Sequence, residues 1–267
     1  MTAMVEPRPR TGVFGLSEGA IAKLAAGLII LALWEIGCRA FAPAYVAKPI
    51  GILLAIPDTI SSAKFLDAAW STLWAVVRGL IVALILGTAV GLTMGRKPIV
   101  ERALRYYVNG LYAMPMVAVL PLVTLWFGYT NEARMATIVF AAFFAIAINA
   151  ADGARAVPPE YIEVARSFRA RWDNIWLGIA LPASLPYLLA GVRLAAGRAL
   201  IGCIVAEFFI SLEGLGFYIL FNSRTFNHNA ALVAVLLLAA FGVGVEALIN
   251  WATRRYLPWY RRGERGE

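Results

Sequence analysis

Long apolar stretches separated by short charged segments dominate this sequence. A helix needs about 20 predominantly apolar residues to cross a bilayer, and six stretches come close to or exceed that length. Helices are expected because lipid offers backbone groups no hydrogen-bond partners. The predicted spans are approximately residues 20–41, 74–94, 111–127, 135–151, 188–210 and 230–251, the third interrupted by Pro115 and Pro121.

Composition supports a membrane protein. Hydrophobic residues make up 61% of the 267 residues and charged residues only 15%, whereas soluble domains carry about 25% charged residues. The net charge of +8 does not indicate nucleic-acid binding, because the basic residues lie in the gaps between apolar stretches. The predicted fold class is therefore an all-α polytopic membrane protein that is surrounded by lipid.

The distribution of Lys and Arg predicts the orientation. With both termini inside, sixteen basic residues fall in cytoplasmic segments, five fall outside and three lie within spans. Lys and Arg accumulate on the cytoplasmic side, so both termini are predicted to be cytoplasmic. This divides the chain into a cytoplasmic segment (1–19), one transmembrane domain (20–260) and a cytoplasmic tail (261–267).

A repeat of small residues marks the second span. Gly87, Gly91 and Gly95 recur at every fourth position, a spacing that lets two helix backbones approach closely. Two alternatives remain open, namely packing within one chain or an interface between subunits.

The cytoplasmic loop over about residues 152–187 is too long for a simple connector and is predicted to be structured. Pro159 suits the first position of a helix, and residues 161–168 form a predicted amphipathic helix with Ile162, Ala165 and Arg169 on one face. A second helical stretch is predicted from about Trp172. Two later prolines, Pro182 and Pro186, are expected to turn the chain back to the membrane.

Four of the charged residues within predicted spans are candidates for the translocation pathway: Arg78, Arg193, Arg198 and Glu207. A buried arginine is costly unless it is paired or hydrated. The alternative is structural pairing with groups on other helices.

The residues of a catalytic or metal site are missing. Metal and nucleophilic sites need clustered His, Cys, Asp or Glu, yet the only histidine, His228, lies in a predicted outer loop and Cys38 and Cys203 lie in apolar stretches. A P-loop requires a lysine that follows a glycine, and none of the four lysines does. The chain is therefore expected to have no catalytic, metal-ligating or ATP-hydrolysing site. An ion-coupled secondary transporter or a channel stays open as an alternative class.

The loop carries a motif that resembles the EAA loop of ABC-importer permeases. That loop reads Glu-Ala-Ala, three residues, Gly, nine residues, Ile, one residue, Leu-Pro, and its matching positions here are Glu163, Ala165, Ile179, Leu181 and Pro182. Val164 replaces the first Ala, and Arg169 stands where the family usually has Gly. The sequence leaves open how Arg169 affects the bend between the two loop helices. Residues 115–121 and 125–128 add a resemblance to the nitrate/sulfonate/taurine branch.

This resemblance implies a multi-pass permease of a type I importer in the bacterial inner membrane. Such a permease works as a pair, which is here predicted to be a homodimer. Its partners are two ATP-binding subunits, which use ATP and Mg, and an extracytoplasmic solute-binding protein. This chain itself is predicted to bind no cofactor. The branch suggests a small anion such as a sulfonate, taurine or nitrate, although relatives also carry neutral heterocycles. The residues that the resemblance assigns to ATPase docking are Glu163, Val164, Ala165, Arg166, Arg169, Ile179, Leu181 and Pro182. A local pair between Glu163 and Arg166 is the competing role for those two charges.

Overall fold

The computed structural model describes residues 18–43, 46–210 and 213–256, and this part of the chain is mainly helical, with no β-strand. Most of the predicted N-terminal segment (1–17) and the predicted tail (261–267) lie outside these residues. The helices are α1 (Glu18–Phe41), α2 (Pro49–Ser61), α3 (Ala63–Arg96), α4 (Pro98–Ala113), α5 (Met116–Phe127), α6 (Asn131–Arg155), α7 (Pro159–Ser167), α8 (Trp172–Ile175), α9 (Leu181–Ile210), α10 (Leu215–Arg224) and α11 (His228–Tyr256).

The membrane-spanning helices agree with about six predicted spans. Five helical segments among the described residues are long and apolar enough to cross a bilayer, and α4 with α5 supplies a sixth if the two count as one broken span. The spans built on α3 and α9 are longer than predicted and start at Ala63 and Asp173. Their extra turns carry charged residues, which hydropathy alone assigns to loops.

The third span is not the single helix predicted over 111–127. The axes of α4 and α5 differ by 104°. Pro115 explains the break, because it has no N–H for the Leu111 carbonyl; the Met114 N–H bonds that carbonyl instead, at 3.2 Å. Pro121 lies inside α5 without ending it.

Helix α6 lies between α3 and α9, and these three helices form the centre of the protein. Small residues permit the close approach: a Cβ built on Gly91 would lie 2.3 Å from the Ala147 carbonyl oxygen, and one on Gly95 would lie 2.5 Å from the Ala151 carbonyl oxygen. The glycine repeat of α3 therefore packs within one chain, against α6. On the opposite side, Gly202 of α9 approaches Ala141 in the same way.

The connection between α6 and α9 is shorter than the predicted loop at 152–187. Helix α6 continues to Arg155, and α9 begins at Leu181. The prediction that Pro182 and Pro186 turn the chain back is wrong, since both lie inside α9. A π-helical turn, Trp176–Ala180, joins α8 to α9. Such turns occur where the regular helical hydrogen bonds are interrupted, and Pro182 lacks the N–H that would bond four residues back.

Candidate functional site: the cytoplasmic α7–α9 segment and the charged residues of the spans

Helix α7 begins where the sequence predicts. Pro159 occupies its first turn and Glu160 follows it, where the N-terminal end of the helix dipole favours a negative charge. The half-buried residues of this helix are Ile162 and Ala165, and the remaining side chains are exposed. The predicted amphipathic helix is thus present. The prediction that Arg169 shares a face with Ile162 and Ala165 is wrong, because the helix ends at Ser167.

Arg169 forms the bend that glycine usually forms. Its φ angle is +53°, in the left-handed region that costs residues other than glycine roughly 1–2 kcal/mol. Two hydrogen bonds close the turn, from the Arg169 N–H to the Arg166 carbonyl at 2.8 Å and from the Ala170 N–H to the Ala165 carbonyl at 2.9 Å. The chain therefore keeps the bend between α7 and α8 despite the substitution.

The predicted docking residues converge on one open apolar cleft between α7 and the start of α9. Four of the eight line it, namely Val164, Ala165, Ile179 and Pro182, together with Tyr161, Gly178 and Ala183. Leu181 packs inward against the central core. Sequence reasoning did not identify Tyr161, which stands four residues before Ala165 and so shares its helix face.

The three charged residues predicted to dock the ATPase are not among the residues that line the cleft. The side chains of Glu163, Arg166 and Arg169 are exposed. Over the described ranges, no ion pair joins Glu163 to Arg166. The local pair considered from the sequence is therefore not formed, and the carboxylate faces outward.

Two of the three arginines within the predicted spans lie against other side chains. Arg193 of α9 donates a hydrogen bond to the Asn250 side chain of α11. Arg78 of α3 lies over the ring of Trp74, 5.6 Å from its centroid, and Trp74 itself stacks on Trp70. The structure does not bring Arg78 and Arg193 together.

Glu207 is fully buried and takes part in a polar network that joins four helices. Its carboxylate accepts hydrogen bonds from Arg134 Nη1 of α6 at 3.1 Å, from Thr72 Oγ1 of α3 at 2.8 Å and from the Gly216 N–H of α10 at 2.7 Å. Thr72 Oγ1 also accepts the Leu215 N–H at 2.7 Å. The N–H groups of Leu215 and Gly216 lie in the first turn of α10 and have no acceptor within that helix. Glu207 and Thr72 therefore cap the start of α10 with their side chains.

Arg134 is the residue that sequence reasoning missed. Its sequence position, between two predicted spans, counts it only among the five outer basic residues, but its side chain is buried and it is only 5% exposed. Besides Glu207, it contacts Ser71 Oγ at 3.2 Å and the Glu213 carbonyl at 3.0 Å. The sequence signal that could have identified Arg134 is Glu207, because a carboxylate within a span requires a partner.

Arg198 contacts the broken third span. Its Nη1 donates to the Tyr112 carbonyl oxygen at 3.1 Å, and its guanidinium carbon lies 3.7 Å from the centroid of the Tyr112 ring. No carboxylate within the described part of the chain is close enough to form an ion pair with it. Among the same residues, no group of three or more His, Cys, Asp or Glu side chains is placed to hold a metal ion.

Three relatives resemble the chain over most of its length. The putative aliphatic sulfonates transport permease protein SsuC of Bacillus subtilis is 29% identical, over 86% of this chain and 84% of its own length. The formylaminopyrimidine transport permease protein ThiX of Halalkalibacterium halodurans is 28% identical, over 88% and 94%. The taurine transport system permease protein TauC of Escherichia coli is 26% identical, over 87% of each.

The fold also matches a solved structure. A chain of the MetNI methionine ABC transporter, in an inward-facing conformation, superposes with a TM-score of 0.62 at 19% identity, covering 72% of this chain and 95% of that one. Residues 79–258 match the family described as binding-protein-dependent transport system inner membrane component. This match includes α7, the apolar cleft and the whole of α9. The chain therefore belongs to that family of inner-membrane transport components, as the resemblance of its loop motif predicted.

Proposed function

We propose that this chain pairs with a second copy to form the pathway of an ATP-driven importer, with an ATP-binding subunit docked on each α7 segment. A solute-binding protein outside delivers the solute. The observation that carries this proposal is the open apolar cleft at Tyr161, Val164, Ala165, Ile179 and Pro182.

The surface of α7 supports a protein partner. Tyr161 is 61% exposed and Val164 is 54% exposed, although their helix is short and too polar to lie in lipid. Exposed apolar patches bordered by charges are typical of protein interaction sites, and an amphipathic helix is suited to a groove on another protein. Glu163, Arg166 and Arg169 supply the charges around this patch. The energy for transport comes from that partner, which binds ATP and Mg.

Charge also supports the proposed orientation, with both termini and α7 in the cytoplasm. A cysteine at position 171, whose side chain is highly exposed, is expected to resist a membrane-impermeant thiol reagent in intact cells. A cysteine at Asn227, which is exposed between α10 and α11, is expected to react. Labelling at 171 but not at 227 would reverse the orientation.

A small anion is the proposed solute. SsuC and TauC are named for sulfonates and taurine, and three arginines lie within the spans. Of the four pathway candidates, we favour Arg198, because it lines a cavity between α4, α6 and α9. Arg193 and Glu207 are engaged by other helices, which supports structural roles, and the Arg78 guanidinium lies against Trp74.

The docking proposal is tested by Glu163→Lys. Truncating a buried interface charge costs about 2–5 kcal/mol, so we expect the ATPase subunit to be lost during purification and ATP-driven uptake of an aliphatic sulfonate into proteoliposomes to stop. The permease itself should still insert and dimerise, as measured by light scattering of the purified chain.

Glu160→Lys is the matched control. It reverses an exposed charge on the same helix, one turn earlier, and should cost only about 0.3–1 kcal/mol through the helix dipole. Normal ATPase binding and uptake by Glu163→Lys would contradict the docking role of α7. Equal losses in both variants would mean that the helix itself, and not Glu163, had been disrupted.

A further inference from the structure

The break between α4 and α5 leaves the end of α4 open to other parts of the protein. The last four carbonyl groups of a helix have no N–H partner within it, and the chain turns away at Pro115. Arg198 of α9 supplies a donor to one of these carbonyls, that of Tyr112. The break thus places a cation beside the negative end of a helix.

A cavity of about 230 Å³ lies at this break. Apart from Tyr112 and Arg198, apolar side chains form its walls: Leu111, Met114, Met116, Phe140, Ala141, Phe144 and Ile201. Pockets for drug-sized ligands measure about 300–1,000 Å³, so this one suits a smaller solute. Apolar walls with one charged group are the usual composition of a small-molecule site.

Arg198 lies near the middle of helix α9, far from both ends of the span. At 1.5 Å per residue, it lies about 25 Å from Leu181 and about 18 Å from Ile210 along α9. A charge at that depth faces the protein interior or a water-filled space. The cavity opens beside Met114 and Ile201, which are 41% and 61% exposed. Lipid at this opening would surround the guanidinium with hydrocarbon, so the opening must face water or a second copy.

We propose that this cavity is a transient binding subsite for a small organic anion during its passage, and the assignment rests on the proposed importer function. Arg198 binds the anionic head group, since its planar guanidinium matches the paired oxygens of a sulfonate. Met114, Met116 and Phe144 contact the apolar tail, and the flexible methionines adapt to tails of different shape. A broken membrane helix frequently forms such a site.

The first experiment measures charge and water access without transport. Met114→Cys is made in a Cys38→Ala background, with Cys203 retained because it is fully buried, and the purified complex is treated with two methanethiosulfonates. We expect the anionic sulfonatoethyl reagent to react about tenfold faster than the cationic trimethylammonium reagent, because a positive cleft concentrates anions. Arg198→Gln should reduce this ratio to about one, while Arg198→Lys should preserve it. No reaction with either reagent, or a ratio that is unchanged in Arg198→Gln, would overturn the subsite.

The second experiment measures ATP-driven uptake of butanesulfonate by the complete transporter in proteoliposomes. Gln and Lys both carry N–H donors, but only Lys keeps the charge. An anion site therefore predicts an uptake rate at least tenfold lower in Arg198→Gln, about 1.4 kcal/mol per tenfold step, and a rate close to normal in Arg198→Lys. Arg105→Gln, which removes an exposed arginine of α4, is the control and should stay within about twofold of the native rate.

Three outcomes separate the possibilities. Equal losses in Arg198→Gln and Arg198→Lys would show that Arg198 only holds the helix break, and would overturn the subsite. If Arg198→Gln slowed nitrate uptake but left butanesulfonate uptake normal, the subsite would also be overturned, because the apolar walls would then have no role in binding. If the native transporter moves no anion with ATP, the proposed function fails, whereas the ratio of thiol reaction rates still decides whether the cavity attracts anions.

Discussion

Replacing Glu207 by Gln perturbs the most deeply buried charge in the described part of the protein. The substitution preserves the size of the side chain, which matters because a Cβ on Gly214 would lie 2.3 Å from the carboxyl group. It removes the negative charge opposite Arg134. It also replaces one acceptor oxygen with a donor NH₂ group, which then faces the N–H of Gly216 or the hydroxyl of Thr72.

The expected cost follows from burial. The side chains of Arg134 and Glu207 are only 6% and 0% exposed, and removing one partner of a buried pair costs about 3–5 kcal/mol. The Ser71 hydroxyl and the Glu213 carbonyl still solvate Arg134, which favours the lower end of that range. For a chain of this size, 3–5 kcal/mol corresponds to a fall in Tm of about 6–20 °C.

The measurement is thermal or SDS-induced unfolding of the purified chain in mixed micelles, for Glu207→Gln, Arg134→Met and the double variant. The double variant should be more stable than the sum of the single losses predicts, by about 1–3 kcal/mol. Glu246→Gln, an exposed position on α11, is the control and should change stability by less than about 0.5 kcal/mol. A Glu207→Gln variant within 1 kcal/mol of the native chain, or additive effects in the double variant, would refute the ion pair as the basis of the network.

Two further predictions concern packing and backbone strain. Gly91→Leu should destabilise the chain by several kcal/mol in the same unfolding assay, because its Cβ would lie 2.3 Å from the Ala147 carbonyl oxygen. Gly27→Leu is the control and should be neutral, because a Cβ at Gly27 would meet nothing within 4 Å. Equal effects of the two substitutions would contradict the α3–α6 contact. Arg169→Gly should stabilise the loop by about 1 kcal/mol, because glycine adopts the positive φ without strain, and Arg169→Val should destabilise the loop. The rate of proteolytic cleavage in the loop measures both effects. Faster cleavage of the Gly variant than of the native chain would contradict this prediction.

Hydropathy predicts the spanning helices well but not the helices that do not span. The six apolar stretches correspond to α1, α3, the bent pair α4–α5, α6, α9 and α11. Helices α2 and α10, with 13 and 10 residues, were not predicted, because they are shorter than a bilayer is thick. The angle between α4 and α5 was also beyond reach: Pro115 indicates a break, but the packing of both helices against α6 determines its direction.

The candidate site was predictable where its residues are neighbours in sequence. The motif at Glu163–Pro182 led to the residues that line the apolar cleft, because the spacing of a motif within one loop survives folding. The bend at Arg169 depends on three residues that close the turn and was undetermined without coordinates. The partner of Glu207 lies 73 positions away, on α6, and the carbonyl bound by Arg198 lies 86 positions away. Single-sequence periodicity carries no information about pairs so far apart.

Helix α9 connects the apolar cleft, the proposed subsite and the polar network around Glu207. Ile179 and Pro182 line the cleft at one end, Arg198 lies near the middle, and Glu207 holds α10 about 38 Å from Pro182 at 1.5 Å per residue. Close glycine contacts join α9 to α6 and α6 to α3, and such tightly packed interfaces move as units because they are not continuously deformable. A displacement at the cleft should therefore move these three helices and α10 together.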